Sequence, residues 1–360
     1  MTKIRLFAFS VSLLLLAFTT KAQVKYSNEF LSLGVGSRAL AMGNSCIASS
    51  NDATSTYWNP AGLLELSSDM QMGAMHSAYS YGIASYDYGA ATFKTSDSSA
   101  LGFSIIRFGV DDIPNTLDLI DNNGQIRYDL ITSFSIADYA FVTSFAKKSN
   151  VNGLSFGGNL KIIRRIVGDF ASAWGFGLDV SAMYVNKSWR FAAVGRDITS
   201  TFNAWKFNTE TFEDVFDETG NEIPENSIEY TMPRLILAAA KTFKISEKIN
   251  LTTEIDGDIT FDGKRNTVLR TDFLSLDPHA GLELSYKNKV FLRGGVSNIQ
   301  NVLLFDKQTA INMQPGLGLG ISLNRLYIDY ALSNIGNKLF NIYSHVFTLR
   351  LAINKKGNVS

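Results

Sequence analysis

The feature of this chain that most narrows its fold is an alternation of apolar and polar residues at period two, recurring from about residue 69 onward. In Lys248–Asp256, residues Ile249, Leu251 and Ile255 fall on one side, and Lys248, Asn250, Thr252, Glu254 and Asp256 on the other. Ala280, Leu282, Leu284 and Tyr286 oppose His279, Gly281, Glu283 and Ser285 in the same way. The pattern returns in Arg325–Tyr330 and in His345–Ile353, where Phe347, Leu349, Leu351 and Ile353 share a face. No run of 18 apolar residues follows the first 22, so a helical membrane span is not expected. The pattern predicts about fourteen strands: 69–79, 84–95, 99–109, 132–146, 154–168, 172–185, 188–197, 233–245, 248–258, 276–286, 289–297, 314–322, 325–332 and 345–353.

A strand with one apolar and one charged face suits either a soluble sandwich or the wall of a membrane barrel. The connections decide. Short ones, such as 96–98, 186–187 and 287–288, alternate with long ones at 110–131, 198–232, 259–275, 298–313 and 333–344, apart from two brief connections, 80–83 and 169–171, that fall in the long series. Outer-membrane barrels sort their connections this way, with short periplasmic turns and long extracellular loops, whereas a sandwich has no reason to. The expected fold is therefore all-β, a transmembrane antiparallel β-barrel. Asp179, Glu254, Asp256, Asp258, Glu283 and Asp329 should face its lumen, because a charge on the lipid face is costly. Tyr79, Trp189, Phe191, Tyr286, Phe291 and Tyr330, near strand ends, should form interfacial girdles.

The segment ahead of the strands reads differently. Lys3 and Arg5 precede an apolar run from Leu6 to Phe18, and Thr20-Lys21-Ala22 offers a small residue before Gln23. This is the pattern of a secretory signal peptide, residues 1–22, cleaved after Ala22. Loss of Lys3, Arg5 and Lys21 turns an even balance of 33 basic and 33 acidic residues mildly acidic, which offers nothing to nucleic acid. Residues 23–66 lack the strand pattern. Ser37–Gly43 has helix formers ending on glycine, and Asn59-Pro60 suits a helix cap followed by proline at the first position. About forty irregular residues ahead of a barrel (residues 67–360) are expected to lie inside it as a plug. Ser37, Arg38, Met42, Gly43, Asn59, Pro60 and Gly62 would hold the plug, and a buried Arg38 would need one of the inward carboxylates as partner.

The phrases Gly36-Ser-Arg-Ala-Leu-Ala-Met-Gly43, Asn51-Asp-Ala-Thr-Ser and Tyr57-Trp-Asn-Pro-Ala-Gly-Leu63 resemble the N-terminal signature of the PorV/PorQ family, part of the wider FadL-like group of outer-membrane barrels. The likeness continues through Asn159-Leu-Lys161, Asp179, Pro233-Arg234, Phe291-Leu-Arg-Gly-Gly295 and the strand beginning at His345. The resemblance implies a fourteen-stranded barrel with an N-terminal plug. It also implies a place in the outer membrane as an accessory of type IX protein secretion, with secretion-system proteins or exported cargo bearing C-terminal signal domains as partners. Outer-membrane lipids would surround it.

Other chemistries fit poorly. Gly34-Val35-Gly36-Ser37-Arg38-Ala39 matches a dinucleotide fingerprint, but no βαβ unit follows. Asp121-Asn-Asn-Gly124 begins like a calcium loop and lacks the glutamate at its twelfth position. One cysteine, Cys46, and three scattered histidines give no metal centre or cofactor site. His76, His279 and His345 have no identifiable nucleophile beside them, so no catalytic residue is expected. Two binding roles remain. A secretion accessory would hold a protein through its loops, with Phe207, Phe212 and Phe216 as anchors in the acidic 207–229 stretch. A FadL-like channel for fatty acids or other hydrophobic small molecules would instead need an apolar concave pocket. The acidic loop favours the first.

Overall fold

The computed structural model describes residues 27–79, 82–120, 123–211, 213, 216, 220–263, 265–303, 309–333 and 343–354. The expected signal peptide, Asp121 and Phe212 lie outside the described residues. Strands β1 (Met70–Tyr79), β2 (Ala84–Ser96), β3 (Ser99–Asn115), β4 (Thr132–Lys148), β5 (Leu154–Val167), β6 (Ala171–Asn186) and β7 (Trp189–Arg196) pair in sequence order. After β8 (Phe202–Phe207) and β9 (Ser227–Tyr230) the wall resumes with β10 (Arg234–Lys244) and β11 (Ile249–Thr260). The two-residue β12 (Leu269–Arg270) precedes β13 (Ser275–Tyr286), β14 (Val290–Leu303), β15 (Thr309–Leu323), β16 (Leu326–Ser333) and β17 (Ser344–Ile353).

Fourteen of these strands close a ring, sealed where β17 pairs with β1 from Met70↔Ile353 to Ala78↔His345. All the pairings are antiparallel. Closure removes every unpaired edge, which a wall standing in hydrocarbon requires. The faces follow residue parity. In β13, Ala280, Leu282, Leu284 and Tyr286 lie outside, while Gly281, Glu283 and Ser285 are buried within. Asp179, Glu254, Asp256 and Asp329 are likewise buried inside.

Two of the expected girdle aromatics are corrected by the same parity. Tyr79 shares the inward face of β1 with Met75 and Ser77, and Phe291 sits under the inward Arg293. Trp189, Phe191 and Tyr286 face out, and Trp189 and Phe191 stack with ring centroids 5.7 Å apart. Being near a strand end does not place an aromatic in the girdle. Parity must also turn it outward.

The long connections are shorter than their residue ranges suggested, because strands extend into them. β3 runs on to Asn115 past a bulge at Asp111–Asp112, where Asp112 has φ 56°, and β14 and β15 reach far past the expected 297 and 314. Within 198–232, β8 and β9 continue the wall. The upper part of β6 (Ala171–Phe176) pairs with β8, and its lower part (Val180–Asn186) pairs with β7. One wall strand is thus interrupted at 197–201, and its neighbour at 231–233. Along these extensions neither face is uniformly apolar, so the period-two signal fades.

Residues 27–66 occupy the lumen. Their only regular pieces are α1 (Ser37–Ala41), α2 (Ser55–Trp58) and 3₁₀ turns at Glu29–Ser32 and Pro60–Glu65. The wall admits this backbone through inward glycines. A Cβ at Gly295 would lie 2.0 Å from the carbonyl carbon of Met42, and one at Gly316 would lie 2.3 Å from the Leu40 oxygen. Gly157 faces Pro60 and Ala61 in the same manner. Gly43 is required twice over, by its φ of +63° and by Val296 N, 2.4 Å from where its Cβ would stand.

The neighbours Gly294 and Gly295 offer a matched test. A Cβ at the outward Gly294 meets nothing nearer than Leu317, at 3.5 Å. Gly295→Ala should destabilise the barrel by about 1–3 kcal/mol through overpacking, and Gly294→Ala by less than about 0.5 kcal/mol. Heat-dependent gel migration of the two variants measures the difference. Equal behaviour would mean that the plug does not seat on β14.

Candidate functional site

The plug is fixed by charge as well as by shape. Arg38 Nε lies 2.8 Å from Oε2 of Glu283, and Arg293 Nε lies 2.7 Å from the same oxygen. Arg293 Nη1 then reaches Asp329 Oδ1 at 2.6 Å, and Arg350 Nη2 reaches Asp329 Oδ2 at 2.7 Å. Arg350 also pairs with Asp52, which returns the chain of charges to the plug. Three guanidinium groups and three carboxylates alternate along this path, drawn from β13, β14, β16, β17 and two plug turns. Burying any one of them alone would be costly, and the alternation leaves each with an opposite neighbour.

Burial works against a charge on Asp52, yet Arg350 first and Arg38 second outweigh it and hold the carboxyl below its ordinary value.

Plug backbone donors find the remaining inward carboxylates. Ala48 N donates to Glu254 Oε1 at 2.6 Å, and Cys46 N and Ile47 N donate to Asp256 Oδ2 at 3.0 and 3.2 Å. Ser37 N donates to Thr348 Oγ1 at 2.9 Å, and Ser37 Oγ to the Val346 carbonyl at 3.0 Å. Asn59 accepts from Ala61 N at 3.1 Å and donates to the Ile47 carbonyl at 2.9 Å, capping the turn that starts at Pro60. Met42, Pro60 and Gly62 are buried with it, and a Cβ on Gly62 would collide with the Ser50 carbonyl. These residues meet the wall in two groups. Ser37–Gly43 seats on β13–β17, and Asn59–Gly62 seats on β4–β6.

Above the plug, the wall extensions enclose an apolar vestibule. Its cavity, about 540 Å³, is lined by Phe134, Phe170, Trp205, Phe207, Phe216 and Pro224, among others. Phe134 of β4, Trp205 and Phe207 of β8 and Val167 of β5 share the inward parity, so the aromatic lining belongs to the inside of the barrel mouth. Phe134 and Phe170 pack edge to face, 5.0 Å between centroids. Near its floor, Arg165 lies 5.0 Å over the Trp205 ring and pairs with Asp138 at 2.8 Å and Glu229 at 3.6 Å. Ser27 and Asn28, the first plug residues described, close the space beneath. Asn203 Nδ2 donates to Ser27 Oγ at 2.7 Å, and Asn28 Nδ2 donates to Thr231 Oγ1 at 2.8 Å.

Phe207, at the end of β8, and Phe216, in the connection to β9, both line this concavity. Phe134, Phe170 and Trp205 were missed altogether. Extending the parity of β4 and of Phe207 past the bilayer would have found Phe134 and Trp205. A second cavity of about 570 Å³ in the mouth is polar, bordered by Arg234, Asp258, Asp277, His279, Gln300 and Gln314. Each histidine has a polar neighbour: Asp87 for His76, the Gly43 carbonyl for His279 and Tyr330 for His345.

No protein-family profile matches this chain, and no curated protein is significantly similar to it in sequence. Solved structures are similar in fold. The monoaromatic hydrocarbon channel CymD superposes with a TM-score of 0.55 at 13% identity, covering 90% of this chain and 98% of that one. The toluene transporter TbuX of Ralstonia pickettii gives 0.53 at 12% identity, covering 89% and 99%. A FadL homologue of Pseudomonas aeruginosa gives 0.50 at 12% identity, covering 88% and 97%. The chain thus shares the β-barrel fold of these channels and transporters over about nine-tenths of its length.

Removing Arg38 leaves Glu283 and the ring short of one positive charge. Arg38→Ala should lower stability by roughly 3 kcal/mol and let small solutes leak through the barrel. Thermal unfolding and liposome swelling report the two effects, and unchanged values in both would contradict the role given to the ring. The Asp52 carboxyl, depressed in the fold, contributes stability that is complete above about pH 4 and is lost as pH falls through its folded value. Proteolysis of the plug should therefore accelerate only on acidification, and Asp52→Asn should flatten that dependence.

Proposed function

We propose that this protein is an outer-membrane channel for hydrophobic small molecules, which it takes up from the extracellular side through the aromatic vestibule. The observation that carries this reading is the vestibule itself, an apolar concavity on the inside of the barrel mouth. A pocket of this size, with aromatic walls and a few polar groups, is what a small apolar ligand needs to leave water. The fold likeness to hydrocarbon transporters supports the same reading.

Trp205 adds a detail of specificity. Its Nε1–H is buried without a hydrogen-bond partner at the vestibule wall, so a ligand carrying one acceptor would satisfy it. Passage inward requires Ser27 and Asn28 to part from Asn203 and Thr231, since these contacts close the vestibule floor.

The secretion role implied by the N-terminal phrases gains no comparable support. The residues of those phrases are accounted for by internal work. Arg38 and Asp52 form the two ends of the ion-pair chain, Met42 and Gly43 fill the glycine cradle, and Asn59-Pro60 caps a plug turn. A plugged barrel needs such residues whatever it carries.

Binding of toluene and of palmitate to the protein in lipid nanodiscs, read by tryptophan fluorescence, tests the proposal. Trp205→Ala and Phe207→Asp should each weaken binding of whichever probe the protein takes, on the order of tenfold. Failure of both probes to bind, or affinities unaltered in both variants, would sink the channel reading.

A further inference from the structure

The two ends of the barrel are opposite in charge. At the long-loop end, residues 198–232 hold eight acidic side chains against one basic, and residues 110–131 hold five against one. The short-turn end is basic. Lys94 and Lys148 stand near the ends of β2 and β4, and Lys248, Lys289 and Arg325 immediately precede β11, β14 and β16. Carboxylates are fewer there, and two of them are taken. Glu65 lies 3.7 Å from Arg190, and Glu247 lies 2.8 Å from Lys244. Among the described residues, none of the five named cations has an ion-pair partner.

Parity turns these cations toward the barrel axis and away from lipid. Lys94 pairs with Ala100 and Lys148 with Ser155, both buried inward positions. Lys248, Lys289 and Arg325 stand two residues before Asn250, Phe291 and Tyr327. Asn250 and Phe291 pair with the inward Ser285, and Tyr327 pairs with the inward Arg350. The ladder continues to the three cations, whose carbonyls accept from the backbone N–H of Lys287, Ser322 and Ala352. An outward cation is used differently. Lys241 Nζ lies 4.6 Å over the ring of the outward Trp189, where a lysine stem follows the apolar surface. The plug takes none of the five as a partner. Its lower edge is apolar here, with Leu63, Leu64 and Leu66 packed on Ala100 and Ala146.

We propose that this ring of cations is a docking surface for a soluble periplasmic protein with an acidic face, seated over the inner end of the barrel. Like charges left unpaired around one opening repel one another, and an acidic partner both relieves that repulsion and is steered by it. Neighbouring strands stand about 5 Å apart. The five cations are spread over β2, β4, β11, β14 and β16 around the ring, so no small anion meets them together. Their inward parity sets lipid head groups aside. The surface shares no residue with the vestibule and does not depend on what the barrel carries.

A defined probe and the native partner test this. In phosphatidylcholine nanodiscs the barrel should bind fluorescent poly-L-glutamate at low ionic strength and release it as salt rises. Lys94→Gln, Lys148→Gln, Lys248→Gln and Lys289→Gln combined should weaken that binding about tenfold, with folding confirmed by heat-dependent gel migration. The outward pair Lys147→Gln and Lys241→Gln should change it less than about twofold. In native cells, a photo-crosslinking residue at Asn150, in the turn beside Lys148, should give one discrete adduct with an acidic periplasmic protein, absent from the fourfold variant. Equal poly-L-glutamate binding by wild type and the fourfold variant overturns the proposal. So does loss of binding when phosphatidylglycerol replaces phosphatidylcholine, which would assign the cations to lipid head groups. An adduct to lipid or peptidoglycan, the lack of any adduct, or an adduct that persists in the fourfold variant overturns it as well.

Discussion

Six alternating charges join the plug to the wall, and much of the remaining architecture is arranged around them. Arg38 and Asp52 come from the plug, and Glu283, Arg293, Asp329 and Arg350 from four strands of the last part of the chain, far from the plug in sequence. An isolated ion inside a membrane barrel would be prohibitive, so the ring forms only when barrel and plug are both in place. It therefore works less as a source of stability than as a condition of register. A slip of one residue in β16 would turn Asp329 to the lipid and leave two guanidinium groups facing each other.

The glycines serve the same end by a different force. Gly281, Gly295, Gly316 and Gly318 open a space in the wall, and the Leu40–Gly43 segment fills it with backbone and with the Ala41 and Met42 side chains. Close contact of backbone with backbone excludes water from the ring and strengthens the electrostatics within it. Shape and charge thus specify one position for the plug. The apolar chemistry is left to the mouth, where wall strands rise past the bilayer and turn aromatics inward.

Much of the wall was legible in the sequence because the bilayer imposes a strict rule. Alternation in Lys248–Asp256 or His345–Ile353 survives only where one face meets hydrocarbon and the other does not. The same rule explains the failures. In β8, β9 and the ends of β3 and β14 neither face is uniformly apolar, so they read as loops. Tyr79 and Phe291 were placed by residue type, and parity overrode it. The need of Arg38 for an inward carboxylate followed from the cost of burying charge. Glu283, not its neighbours, is that partner for reasons of register between strands, which a single sequence does not display. The vestibule was hidden because its aromatics are scattered over β4, β8 and the connections between strands.

Inward passage of hydrophobic molecules, the role proposed for this barrel, and the export of proteins make opposite demands on the cell. Deletion of the gene in its own bacterium separates the two. Accumulation of radiolabelled toluene and palmitate at low external concentration is measured beside the surface and periplasmic levels of exported proteins. The account predicts that uptake of at least one compound falls and is restored by the wild-type gene, with export unchanged. Normal uptake together with exported proteins stranded in the periplasm would contradict it.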